Sequence, residues 1–291
     1  MLDECLEAIG RQTFRDYEIL VLDDAKTGKV RPAEKRNQGI REAKGEIIAF
    51  LDDDAYPEEH WLERALAVFD SDAAIGAVGG PAVTPPGDDY LARLGGEVYD
   101  NALVSGNYRY RYKRVGARRD VDDYPSCNLF VRRELLEKIG GYRTDFWPGE
   151  DTLLCKDIVD AGARIVYEPS ILVYHHRRPL FAAHLRQLGR YAFHRGYFVK
   201  RFPSNSLKLS YFLPTVFVLG LLLPPLWPFY LLYLALVALT SYRREWKSWA
   251  YIASGVVASH VWYGVRFAQG LLARHAPCEF IGADHGSAKG R

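Results

Sequence analysis

Residues Ile47-Ile48-Ala49-Phe50-Leu51 run straight into Asp52-Asp53-Asp54, an apolar stretch that ends in three carboxylates. A short apolar run bounded by charge reads as a buried strand, and such a strand cannot carry three negative charges unless it leaves the core where they emerge. The acids therefore stand at a strand end. Like charges this close raise one another's proton affinity, and a cation between them relieves the repulsion. A hard divalent metal holding a diphosphate is the natural occupant, with a solvated acidic turn as the alternative.

The flanking pattern repeats the theme. Residues 17–22 form a second compact apolar strand leading to Asp23-Asp24, 33–44 read as a helix, and 46–51 as the next strand. In 58–70 Trp61, Leu62, Ala65, Leu66 and Phe69 recur at helical spacing, and 75–80 is again strand-like. Such alternation predicts an α/β fold with a mostly parallel sheet, whose ligands bind at the carboxyl ends of the strands. Asp23-Asp24 and Asp52-Asp53-Asp54 both fall on that edge.

Composition narrows the function classes. A net charge of +2 on 291 residues is too small to argue for nucleic acid. Cys5, Cys127, Cys155 and Cys278 show no paired spacing, so neither a zinc site nor a disulfide framework is expected, and a reducing compartment follows. Asp3, Glu4 and Glu7 interrupt what would be the apolar core of a signal peptide. Residues 108–114 alternate Tyr with Arg or Lys, the period of a strand with one basic and one aromatic face. Single-stranded nucleic acid, anionic lipid or an acceptor diphosphate are the other readings.

Residues 207–242 are overwhelmingly apolar, in two halves, 209–223 and 226–242, separated by Pro224-Pro225. Each half is marginal against the roughly 20 residues a spanning helix needs. Together they make a helical hairpin turning at the prolines. Lys200, Arg201 and Lys208 flank one end and Arg243, Arg244 and Lys247 the other, which favours both ends in the cytoplasm. A pair of buried helices is the alternative. Residues 248–273 hold His260, Arg266 and Gln269, so they lie at the interface, pack on the hairpin, or span with those groups facing protein. The expected division is a catalytic domain at 1–203, membrane or interfacial helices at 204–275 and a disordered tail at 276–291.

Taken in order, these motifs resemble family-2 glycosyltransferases. The residues that carry the resemblance are Gln12-Thr13-Phe14, Tyr17 to Asp24, Lys35-Arg36-Asn37-Gln38-Gly39-Ile40 and Gly45 to Asp54. Cys127 to Arg133, Gly140-Gly141-Tyr142 and Gly149-Glu150-Asp151-Thr152-Leu153-Leu154 complete it. The resemblance implies an A-type, Rossmann-like nucleotide-sugar fold and a metal-dependent, inverting transferase of the hexosyltransferase type. Its donor would be a nucleotide sugar and its acceptor lipid-linked or a polysaccharide. The resemblance also implies work in polysaccharide biosynthesis at the inner membrane, with the catalytic domain cytoplasmic.

On the same basis Asp23 and Asp24 bind the nucleotide, and Asp54 ligates Mg²⁺ or Mn²⁺. Asp52 contacts ribose or the metal, His175 is a third metal ligand, and Arg36, Asn37, Asp53 and Asn128 line the substrate pocket. Asp151 is the catalytic base, with Glu150 orienting it or binding acceptor, although a helix cap is the structural reading of the same pair. Arg190, in Gln187-Leu188-Gly189-Arg190-Tyr191, pairs with phosphate. That run carries Tyr191 where processive relatives have Trp, which speaks against processive synthesis. Family members open with a strand ahead of the helix that here starts near Leu2, so the sheet is expected to lack that strand. The competing class is a non-catalytic, membrane-anchored relative that serves as a scaffold.

Overall fold

The computed structural model describes residues 1–29 and 31–275, so the expected tail at 276–291 and Cys278 lie outside the described residues. Helix α1 (Leu2–Gly10) is followed by the single turn α2 (Asp24–Thr27) and by α3 (Pro32–Glu42), which Pro32 opens. Strands β1 (Ile47–Leu51) and β2 (Ala55–Pro57), helix α4 (Trp61–Ser71) and strands β3 (Ile75–Gly79) and β4 (Ala82–Val83) come next. Helices α5 (Tyr90–Asp100) and α6 (Ala102–Ser105) precede β5 (Arg119–Val121) and β6 (Asn128–Arg132). Helices α7 (Arg133–Ile139) and α8 (Glu150–Asp160) and strands β7 (Arg164–Tyr167) and β8 (Val173–His175) complete the α/β part. The rest is helical: α9 (Ala182–Arg201), α10 (Pro203–Ser206), α11 (Leu209–Gly220), α12 (Trp227–Thr240) and α13 (Trp246–Leu272).

The main sheet has the order β1-β6-β3-β7-β5, and it is mixed rather than mostly parallel. Only β3 and β7 run parallel; β6 enters antiparallel between β1 and β3, and β5 lies antiparallel on β7. Apolar periodicity reports which residues are buried and carries no information on strand direction, which is why the expectation failed. The period-two alternation itself holds. Leu129, Val131, Ile165 and Tyr167 face a core shared with α8, while Phe130, Val166 and Val78 face Trp61, Val68 and Phe69 of α4.

Two other expectations are corrected. Residues 17–22 form no strand and join neither sheet; they and β1 line the same cavity, which lies between them. β1 is therefore the outer strand. The aromatic and basic run at 108–114 is not a strand: Gly106–Arg111 forms a 3-10 turn, held as Arg109 Nε donates to Asp100 O at 2.7 Å. Tyr110 is buried there against Tyr167, 4.9 Å between ring centroids.

The apolar halves fold as α11 and α12, broken at Pro224, with a bend of 116°. Among the described residues no single helix is long and apolar enough to cross a membrane; only this bent pair passes by length and composition. Its outer face is bare, with Leu209 81%, Leu231 71% and Leu239 73% exposed. Two of the flanking cations are engaged by acids of the α/β part: Lys208 with Asp122 at 2.5 Å, and Arg243 with Glu97. Helix α13 lies along α9 at backbone distance. A Cβ on Gly270 would stand 1.9 Å from Phe193 O, and one on Gly196 2.1 Å from Phe267 O, so both positions require glycine.

Candidate active site

β1 leaves the core at Leu51, paired with Asn128, and the chain turns through residues 52–54 as Ala55 N–H donates to Asp52 O at 3.1 Å. β2 then pairs with β8 so that Ala55 stands opposite His175. That register brings His175 Nε2 to 3.1 Å from Asp54 Oδ1. Asp52, Asp54 and His175 each offer a ligand atom, and these atoms all lie within 4.8 Å of one another. Two carboxylates and an imidazole suit Mg²⁺ or Mn²⁺, leaving positions for water and phosphate oxygens. Burial alone would raise the Asp54 carboxyl. The hydrogen bond from His175, with the charges of Arg178 and Arg177 behind, brings it below its ordinary value.

Arg177 Nη1 reaches His175 Nδ1 at 2.9 Å. A guanidinium only donates, so Nδ1 accepts, and Nε2 carries the proton that faces Asp54. An ion bound at Nε2 would need the other neutral tautomer, whose Nδ1–H cannot accept from Arg177, so Arg177 is coupled to the ion site.

The carboxylate pair comes from another element. Gly149, at φ 119°, turns the chain into α8, whose first residues are Glu150 and Asp151. Gly149 is the N-cap, and Glu150 Oε2 accepts from its N–H at 3.0 Å. Asp151 Oδ1 accepts from Ser126 Oγ at 2.6 Å and from Arg36 Nη1 at 3.2 Å. Glu150 Oε1 also meets Arg36 Nη1 at 3.2 Å, and Arg36 Nη2 donates to Asp52 Oδ1 at 2.8 Å. One guanidinium on α3 thus bridges the strand-end acids and the helix-start acids. Burial, with Asp151 next to it, pushes the Glu150 carboxyl up to about 7 against the pull of Arg36. Burial likewise raises Asp151, opposed by Arg36 and Ser126.

Asp23, Asp24, Arg36, Asp52, Asp53, Asp54, Glu150, Asp151, His175 and Arg190 all line one cavity of about 2720 Å³. Asp23 caps α2, its Oδ1 accepting from Lys26 N at 2.6 Å, and Asp24 pairs with Lys35 at 2.8 Å. The guanidinium carbon of Arg190 lies 5.8 Å from the Trp147 ring centroid. Two expected residues stand elsewhere. Asn128 is fully buried, and its amide accepts from Trp61 Nε1 at 2.8 Å and donates to Gly80 O and Ile171 O at 2.7 and 2.8 Å. Asn37 clamps the Tyr142 backbone through its Oδ1 and Nδ2, each at 2.7 Å. Both amides are used up inside the fold. Sequence reasoning passed over Ser126 and Tyr142, whose hydroxyls lie 2.6 Å apart. It also passed over Arg177, for which the Arg pair after His175-His176 was the available signal.

Residues 26–140 match the model of the family described as glycosyl transferase family 2. The pre-mycofactocin glycosyltransferase of Mycobacterium tuberculosis (strain CDC 1551 / Oshkosh) is 33% identical over 148 residues, 50% of this chain and 30% of that protein. Glycosyltransferase AglE of Haloferax volcanii is 27% identical over 204 residues, 61% of this chain and 63% of its own length. The chain thus spans less than two thirds of either relative. Among solved structures, the mannosyltransferase PcManGT from Pyrobaculum calidifontis, in complex with GDP-Man and Mn²⁺, covers 89% of this chain and 82% of its own. The TM-score is 0.50 at 20% identity, a likeness of fold.

Proposed function

We propose that the chain, with its mixed α/β fold of the A-type and its match to glycosyltransferase family 2 over residues 26–140, moves a sugar from a nucleotide-diphosphate donor to a lipid-linked or polysaccharide acceptor, with inversion. The observation that carries this reading is Arg36: it joins a metal-competent trio to a buried carboxylate pair inside one cavity. Asp52, Asp54 and His175 would hold Mg²⁺ or Mn²⁺, which would offset the charge of the departing diphosphate. Asp23 and Asp24 accept hydrogen bonds from base or ribose. The acceptor hydroxyl oxygen bonds to the anomeric carbon, the bond from that carbon to the diphosphate breaks with its electron pair on the diphosphate, and Asp151 takes the hydroxyl proton. Ser126 and Arg36 fix the orientation of that carboxylate.

The reading extends to the cytoplasmic face of the inner membrane, supported by the bare apolar face of α11 and α12 and their basic flanks. The test is transfer by the full chain with Mn²⁺ and a panel of nucleotide sugars. Asp151→Asn keeps the side-chain volume but removes the base, so transfer falls by roughly two to four orders of magnitude while donor affinity holds. Equal loss of donor binding, or full turnover in Asp151→Asn with none in Glu150→Gln, reassigns the base. The scaffold reading draws on the gap beside β1, and it stands if no nucleoside diphosphate binds with Mn²⁺ present.

A further inference from the structure

The cavity does not stop at the carboxylates. It continues past Tyr191 and His194 of α9 into the helical part, where Leu213, Pro214 and Phe217 of α11, Tyr233 of α12 and Tyr263 of α13 form its walls. Part of its 2720 Å³ is the gap beside β1, yet the whole far exceeds the roughly 300–1,000 Å³ of a small-ligand pocket. A second ligand besides the donor has room.

The walls change character along this path. Where the helical arm meets the catalytic end, Arg111 and Arg195 flank Asp123, with Nη2 atoms 3.6 and 2.9 Å from Oδ2. Two cations against one carboxylate leave a surplus positive charge in a largely water-excluded place, the Arg side chains being 13% and 17% exposed. Arg111 Nε is buried without a hydrogen-bond partner. The same Arg195 Nη2 donates to Thr152 Oγ1 at 3.1 Å, and Thr152 directly follows Asp151. An anion-accepting throat therefore adjoins the candidate base, and an apolar arm lies beyond it. At the arm's outer end Leu213 is 58% exposed, in one row with Leu209 and Val216 on the bare face of α11.

We infer that this arm receives the acceptor, and that the acceptor is a lipid bearing a phosphate. Its apolar chain lies among α11, α12 and α13, its phosphate beside Arg111 and Arg195, and the hydroxyl of the sugar it carries at Asp151. The inference rests on the transferase reading and narrows its acceptor to the lipid-linked class. A free polysaccharide has no apolar segment to fill an arm walled by Leu213, Phe217 and Tyr263, and would leave those side chains wet.

The test is photolabelling of the full chain in mild detergent with a hexadecyl phosphate carrying a diazirine near the end of its chain. Labels are expected on residues 211–217 and on Tyr263. Unlabelled hexadecyl phosphate should compete at least tenfold better than butyl phosphate or hexadecanol. Phe217→Trp and, separately, Leu213→Trp narrow the arm and should cut labelling about fivefold or more, with Mn²⁺-dependent binding of nucleoside diphosphates unchanged. Labels confined to the outward residues Phe229 and Leu231, or equal competition by butyl phosphate, overturn the inference. Arm labelling in a chain that binds no nucleoside diphosphate supports the lipid site and sinks the transferase reading instead.

Discussion

Arg36 Nη2 lies 2.8 Å from Asp52 Oδ1, and the other terminal nitrogen of the same guanidinium holds the acids that open α8. Arg36→Ala would leave three carboxylates facing one another with no cation among them. Without the pull of Arg36 the proton affinities of Glu150 and Asp151 rise, so the base is less ionised near neutrality. Transfer should fall by about two orders of magnitude and recover in part as pH increases. Arg36→Lys should lie between, because a point charge cannot bridge both sides as a planar fork does. A pH profile of kcat/KM that stays in place in Arg36→Ala contradicts this role.

Asp54 and Asp53 are neighbours with different work. Asp54 belongs to the trio with Asp52 and His175, whereas Asp53 is exposed and outside it. Asp54→Ala should abolish Mn²⁺-dependent binding of a nucleoside diphosphate in calorimetry, and Asp53→Ala should change it by less than about threefold. The reverse pattern would move the ion site.

The elevated Glu150 carboxyl makes a stability prediction. Its pKa in the folded chain is about 7 against an ordinary 4.5, so the folded state binds the extra proton. This contribution is fully present below the unfolded value and lost as pH rises through about 7. Glu150→Gln, permanently neutral, should therefore melt above the wild type at pH 8 by an amount on the order of 1–3 kcal/mol, the difference closing by pH 5. Metal-free thermal melts across that range measure it. A constant offset at all pH values would place the cause elsewhere.

Asn128 separates a structural role from a substrate role. Asn128→Ala strands the Trp61 indole N–H and the carbonyls of Gly80 and Ile171 in the core. A loss of roughly 2–4 kcal/mol in denaturant unfolding is expected, with donor KM unchanged in whatever remains folded. Normal stability with a raised KM would return Asn128 to the pocket.

These residues show where the sequence is legible. The strand-end acids could be read because burial and charge are in conflict within eight residues, 47–54, a local signal. Glu150 and Asp151 came from the family resemblance, with a helix cap as the other reading of the same pair. Strand direction, the meeting of β2 with β8 that seats His175 beside Asp54, and the reach of Arg36 across to Asp151 are all long-range. Asn37 and Asn128 look like ligand contacts in a motif, since a buried amide serving backbone carbonyls has the same residue type and neighbourhood. Residues 108–114 carried a true period of two, but Gly106 and the packing of Tyr110 under Tyr167 outweighed it.

Asp52 is mounted on β1, the outer strand of the main sheet, whereas Asp54 and His175 are tied together through β2 and β8. Amides on the open side of such a strand exchange with solvent by small fraying motions, while β6 and β3, flanked on both sides, exchange only through larger openings. The metal trio thus straddles a boundary between two levels of protection. Its grip on an ion is discounted by the fraction of time β1 is frayed, and whatever quiets that strand tightens the site without touching a ligand.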